Sequence, residues 1–180
     1  MKSSDVLGKV MLDEETILNR VKELGRQISA DCDRDFNGEP VIIVCILKGA
    51  SIFAADLLKN LTVDARIDFM AVSSYGASTK STGVVKINKD LDTSIEGKNI
   101  LIVEDIIDTG LTLHYLIKSL WGRNPKSIRV CTLLDKPERR KVEMRADYVG
   151  FEIENKFIVG YGLDYDEKYR NLPYITCLDE

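Results

Sequence analysis

Hydrophobic and polar positions follow two rhythms along this chain, and each change of rhythm marks an element. From residue 14 to 30, Ile17, Leu18, Val21, Leu24 and Ile28 recur at three- and four-residue spacing, one face of a helix, with Asp13 placed to cap its first turn. Val41 to Leu47 is an unbroken apolar run, the pattern of a strand covered on both faces. Ala50 to Leu58 returns to helical spacing. Between 63 and 72 the period is two, with Val63, Ala65, Ile67, Phe69 and Ala71 on one side and charged residues between them. Ile100–Val103 predicts another buried strand, and 109–121 a helix stopped by Gly122 and Asn124-Pro125. Ile128–Leu134 predicts a further strand, and Tyr148–Ile153 and Phe157–Gly160 two short ones. Alternating strands and helices predict an α/β protein whose sheet is mainly parallel and covered on both faces. With no internal repeat or linker, the 180 residues fit a single domain, 1–180.

Composition narrows the class without naming it. Hydrophobic residues make up 44% of the chain and charged residues 30%, the balance of a water-soluble globular protein. No apolar run is long enough to span a bilayer and no charged-then-apolar leader opens the chain. No membrane partner and a cytoplasmic location are therefore expected. Cys32, Cys45, Cys131 and Cys177 form no C-x-x-C pair, which fits reduced thiols. The net charge of −4 speaks against general nucleic-acid binding but leaves room for a phosphate, which local amides, lysines and a metal ion would hold. Neither a Walker lysine motif nor G-x-G-x-x-G is present, so nucleotide hydrolysis and dinucleotide binding lack support. The sole histidine, His114, is assigned no role.

Chemistry concentrates in residues 101–112, Leu-Ile-Val-Glu-Asp-Ile-Ile-Asp-Thr-Gly-Leu-Thr. The apolar strand ends in two adjacent carboxylates, Glu104 and Asp105, followed by Asp108-Thr109-Gly110 and the start of a helix. Backbone amides and the dipole at a helix N-terminus favour phosphate. Thr109 and Thr112 add hydroxyl donors, and Gly110 permits close backbone approach. The acids would repel phosphate; they suit sugar hydroxyls and a hydrated Mg²⁺. The stretch thus describes a sugar phosphate with a metal nearby. Lys48-Gly49 follows a buried strand, where ligands of α/β sheets bind, so Lys48 can meet a phosphate. Ser73 to Thr82 has the small, hydroxylated composition of a mobile loop, suited to a lid that excludes water. Lys136 directly follows another buried strand. The run Lys136-Pro137-Glu138-Arg139-Arg140 is short and contains an acid, so it reads as a solvated turn.

The 101–112 segment resembles the phosphoribosyl-pyrophosphate (PRPP) motif of the type I phosphoribosyltransferases, and Asp108 narrows the resemblance to their hypoxanthine-guanine branch. Matching segments run in order from Leu47 to Arg170. The resemblance implies the type I fold, with a core of about 37–150 and a small hood from about 1–36 and 151–180. It implies that Asp108–Thr112, including Leu111, hold the 5′-phosphate, Glu104 and Asp105 the ribose hydroxyls and Mg²⁺, and Lys48, Gly49 and Arg170 the pyrophosphate. A cis peptide before Lys48 is expected. Ser74-Tyr75 belongs to the lid. Phe157 stacks on the purine, the backbone near Ile158 reads its edge, Lys136 donates to O6 with Lys156 nearby, and Asp164 binds a second Mg²⁺ and contacts the base edge. Leu111 is lysine in some members, so here the phosphate leans on amides and the two threonines.

The implied reaction is displacement at the anomeric carbon of PRPP by N9 of hypoxanthine or guanine. Asp108 takes the N7 proton, and IMP or GMP and pyrophosphate are the products. Homodimers and homotetramers are usual in the family. A rival reading is an RNA-binding regulator of the same fold, which would need a basic face. A second is an enzyme for another base: Asp108 with Lys136 disfavours adenine and orotate and leaves xanthine open.

Overall fold

The computed structural model describes residues 6–74 and 85–179. In chain order the elements are β1 (Val6–Leu12), α1 (Glu14–Phe36), β2 (Val41–Leu47), α2 (Ser51–Lys59), β3 (Ala65–Ser74), β4 (Val85–Lys89), β5 (Asn99–Ile107), α3 (Leu111–Trp121), β6 (Ser127–Asp135), β7 (Tyr148–Glu152), β8 (Ile158–Val159) and β9 (Ile175–Asp179). The main sheet has the order β4-β3-β2-β5-β6-β7. Its strands are parallel except for the antiparallel pair β3–β4.

The apolar run of β2 is explained by its two neighbours. Val41, Ile43 and Cys45 face α1 and α2, while Ile42, Val44 and Ile46 face α3. A strand buried on both sides needs no polar alternation. α1 begins where expected, with Asp13 accepting from the Thr16 amide at 2.8 Å. It runs six residues past the predicted end, to Phe36, and stops at Asn37 in the left-handed region (φ 51°). After α3 the left-handed residue is Asn124 (φ 54°), while Gly122 keeps helical geometry.

Three differences from the sequence reading have physical causes. The sequence puts Ile67 on the apolar side of β3, with charged residues between the apolar positions. Ile67 is instead 36% exposed and Asp68 only 5%, because Asp68 Oδ2 accepts from the Asp92 and Thr93 amides and the Thr93 hydroxyl. A buried carboxylate with that many donors needs no water. The strands β1, β4 and β9 were not predicted: β4 is a five-residue edge strand whose only apolar positions are Val85 and Ile87, and β1 and β9 pair with each other across most of the sequence. Finally, the N-terminal helix was expected in the hood. α1 instead packs beside α2 on the main sheet, and Arg20 donates to the carbonyls of Val149 and Gly150 on β7. The second, antiparallel sheet, β1-β9-β8, takes its N-terminal strand from the residues before α1.

Because β2, β3, β5, β6 and β7 are parallel, their carboxyl ends share one edge. The loops after β2, β5, β6 and β7 meet there, beneath the small sheet.

Candidate active site

The acid pair lies inside a strand rather than beyond it: β5 continues through Glu104 and Asp105 to Ile107, with Glu104 beside Thr132 of β6. Before the pair, Leu101 and Val103 face the α1/α2 side, and Ile100 and Ile102 the α3 side. After it the order is reversed, Ile106 joining the first side and Ile107 the second. The two carboxylates thus sit where the alternation of β5 changes phase. Glu104 is 9% exposed. Burial, and then the neighbouring Asp105 charge, raises the Glu104 carboxyl well above its ordinary value. Burial also raises Asp105, against the pull of its hydrogen bond from the Ile106 amide and of Arg170.

Gly49 comes so close to Asp105 that a Cβ there would overlap Oδ2, and a Cβ on Gly162 would overlap the Gly49 carbonyl oxygen. The peptide between Leu47 and Lys48 is cis, as expected.

From Ile107 to Gly110 the backbone turns from β5 into α3. Lys136 N donates to Ile107 O at 2.9 Å, Arg140 Nη1 to Asp108 O at 2.6 Å and Lys141 N to Thr109 O at 2.9 Å. Gly110 O accepts from His114 N, and Gly110 itself has φ 79°, a conformation that suits glycine. These carbonyls are all engaged, while the first-turn amides of α3 have no partner inside the helix. An anion finds donors there.

A cleft of 530 Å³ opens beside this turn, lined among others by Asp108, Lys136, Arg139, Phe157, Ile158 and Asp164. Lys136 is only 9% exposed and donates through Nζ to Lys156 O at 2.7 Å. Burial lowers its pKa, with the Asp108 charge opposing. An ammonium has three donors, so others remain for a ligand. Phe157 is 55% exposed, its ring set edge-to-face against Tyr165 at 5.5 Å. Arg139 Nε meets Asp108 Oδ1 at 2.9 Å. Across the cleft, Arg170 Nη2 pairs with Asp164 Oδ1 at 2.9 Å and with Glu167 Oε1 at 3.1 Å, and Glu167 Oε2 meets Lys48 Nζ at 2.8 Å.

The profile of the phosphoribosyl transferase domain family matches residues 13–166. The chain belongs to this family. Among curated relatives, it is 54% identical over 172 residues to the hypoxanthine-guanine phosphoribosyltransferase of Bacillus subtilis, covering 96% of this chain and 93% of that one. A crystal structure of a hypoxanthine-guanine phosphoribosyltransferase from Bacillus anthracis superposes with a TM-score of 0.90 at 50% identity, covering 97% of this chain and 100% of that one. For a Trypanosoma cruzi hypoxanthine phosphoribosyl transferase the TM-score is 0.92 at 41% identity, covering 99% and 95%.

In this phosphoribosyl transferase the residues singled out from sequence largely share one edge of the sheet. Lys48, Gly49, Glu104, Asp105, the 108–112 turn, Lys136, Phe157, Ile158, Asp164 and Arg170 all border the cleft or the loops around it. Lys156 is divided: its carbonyl holds Lys136, while its ammonium turns to Glu154 at 2.9 Å. Ser74 ends β3, and Tyr75 lies outside the described residues. His114 is exposed on α3. The run 136–140 is more than a solvated turn, because Arg140 pairs with Asp135 in a largely buried ion pair and grips the Asp108 carbonyl. Sequence reasoning missed Arg139, Arg140, Gly162 and Glu167. Two arginines closely following Lys136 were the available signal for the first two; Glu167 offered none.

No helix among the described residues is long and apolar enough to cross a membrane. The four cysteines are unpaired.

Proposed function

We propose that this chain is a purine-salvage transferase that moves the 5-phosphoribosyl group of PRPP to N9 of hypoxanthine or guanine, giving IMP or GMP and pyrophosphate. The observation that carries the reading is the convergence of three chemistries on one cleft. It has an anion-binding turn at the start of α3, a buried ammonium at Lys136 and an exposed aromatic face at Phe157. The names of the relatives point the same way.

The proposed roles rest on the family resemblance, and the geometry supports them. The 5′-phosphate sits on the first-turn amides of α3 with the Thr109 and Thr112 hydroxyls, around Gly110 and Leu111. The ribose hydroxyls face Glu104 and Asp105. Pyrophosphate lies between Lys48-Gly49 and Arg170. Phe157 stacks on the base, Lys136 donates to O6 with Lys156 supplying the carbonyl that aims it, and Ile158 and Asp164 border its edge. As N9 attacks, N7–H becomes acidic, and Asp108 accepts that proton. Arg139 must leave the Asp108 carboxylate for this to happen.

Among the described residues no three acid, histidine or cysteine side chains gather as a metal cage. Mg²⁺ needs none: it binds through one or two carboxylates, waters and substrate oxygens. The hard oxygens of Glu104 and Asp105 fit such a shared ion, since burial raises both carboxyls and a nearby cation would favour their ionised forms. Asp164 fits a second ion once Arg170 turns from it. Bound there, Mg²⁺ would neutralise the departing pyrophosphate.

We further propose one domain over 1–180, a cytoplasmic location, and a homodimer or homotetramer, which sedimentation would measure. The activity test is incubation with PRPP, Mg²⁺ and each of hypoxanthine, guanine, xanthine and adenine. Nucleotide from the first two supports the reading; none from any base overturns it.

A further inference from the structure

Lys48 and Arg170 stand far apart in sequence, one after β2 and the other after β8, and one carboxylate joins them. Glu167 Oε2 meets Lys48 Nζ at 2.8 Å and Glu167 Oε1 meets Arg170 Nη2 at 3.1 Å. Two oxygens on one centre, each taken by a different cation, is how a phosphate would be held at the same place.

Arg170 is not fully served by this arrangement. Nη1 donates to Gly162 O at 2.8 Å and Nη2 is shared between Asp164 and Glu167, but Nε is buried without a hydrogen-bond partner among the described residues. Buried guanidinium donors are normally satisfied. A tetrahedral anion with more oxygens than a carboxylate could reach the third donor. Glu167 is held at this point by its own backbone. Its amide donates to Asp164 Oδ2 at 2.9 Å, and Asp166, Glu167 and Tyr169 all have positive φ (50°, 60° and 75°). Non-glycine residues adopt that conformation only where their surroundings impose it.

We infer that Glu167 is an internal counter-anion, occupying the place of pyrophosphate between Lys48 and Arg170 when the site is open and exchanging with it during turnover. The inference rests on the proposed assignment of Lys48 and Arg170 to pyrophosphate. A tethered carboxylate competes at high effective concentration although its single charge is weaker than that of pyrophosphate. It therefore lowers pyrophosphate affinity and speeds its departure, and product release is the slow step in many enzymes. Glu167 acts through Lys48 and Arg170 and is a positioning residue, not a catalytic one.

The test is Glu167→Gln, which keeps the shape and the amide contact to Asp164 while removing the charge. Exposed ion pairs are weak individually, so losing two should tighten the Kd of Mg-pyrophosphate roughly fivefold. KM for PRPP should fall with it, kcat should fall as release slows, and KM for hypoxanthine should stay unchanged. Glu167→Asp, which retains the charge, should return pyrophosphate affinity toward wild type. If wild type makes nucleotide and binds pyrophosphate but Glu167→Gln binds it no tighter, the counter-anion role is overturned and the pyrophosphate site stands. If Lys48→Met and Arg170→Gln leave wild-type pyrophosphate affinity intact, the site assignment itself is wrong. A Glu167→Gln protein with weakened binding of both hypoxanthine and pyrophosphate would mark a structural role and also overturn the inference.

Discussion

Gly49 lies against the carboxylate of Asp105 with no room for a single extra carbon. The contact ties the loop after β2 to the acid pair of β5, and Gly162 presses on the other side of the same residue through the Gly49 carbonyl. At Gly49 glycine is needed for closeness alone, whereas Gly162 also has a positive φ of 102°.

Gly49→Ala should therefore displace the Asp105 carboxylate or the loop. Forcing a methyl into a packed contact costs about 1–3 kcal/mol. Because small misplacements at a reacting centre cost on the order of 10²-fold in rate, kcat/KM for PRPP should fall far more than Tm. Steady-state kinetics beside a thermal melt checks this; a fully active Ala variant would mean Asp105 is not held by the contact.

Asp108→Asn should lower kcat by about 10²–10⁴, the usual range for loss of a general base. PRPP affinity should stay within a few-fold, because the backbone of the turn is anchored through the carbonyls of residues 107–109 and not through the Asp108 side chain. Undiminished turnover would remove Asp108 from proton transfer.

Lys136→Ala should cut kcat/KM for hypoxanthine and guanine, narrow their lead over adenine and barely alter the Kd of PRPP. A charge-assisted hydrogen bond to O6 is worth roughly 1.5–3 kcal/mol, whereas the 6-amino group of adenine would meet donor with donor. Kinetics with all three bases decides it. An unchanged ratio would shift attention to Lys156.

The buried acid pair makes the ligand-free enzyme sensitive to pH in a defined direction. Both carboxyls are raised by burial, so their contribution to stability is complete below about pH 4, the ordinary carboxylate value. Above it the unfolded chain ionises first and binds fewer protons than the folded one, so stability falls as pH rises, through about 6 for Asp105. Thermal melts in chelator from pH 4 to 8 should show that loss, and Glu104→Gln should flatten it and raise Tm near pH 8 while damaging activity. Parallel curves for the two proteins would refute the assignment.

How much of this was readable in advance depended on range. The strands β2, β5 and β6 carry apolar stretches, and Lys48, the acid pair and Lys136 closely follow those stretches in sequence, so both strand and chemistry could be seen together. Asp68 was misjudged because its partners, the Asp92 and Thr93 amides, belong to a distant loop. The extension of β5 past Val103 was hidden by the acids themselves, which look like a strand end until the pairing of Glu104 with Thr132 is known. Glu167 and Arg139 matter only through cations and acids brought close by folding, and no local spacing announces such a pair.

The stitches between residues 107–109 and residues 136–141 carry a lesson for redesign. Lys136 N, Arg140 Nη1 and Lys141 N each donate to a successive carbonyl of the turn. The segment proposed to choose the base and the segment proposed to grip the sugar phosphate are therefore one mechanical part. Swapping side chains such as Lys136 leaves the seam whole, and selectivity can drift cheaply that way. Transplanting the whole 136–141 loop from a relative with another base preference would tear the seam. The donor's 107–112 turn would have to travel with it as a single cassette.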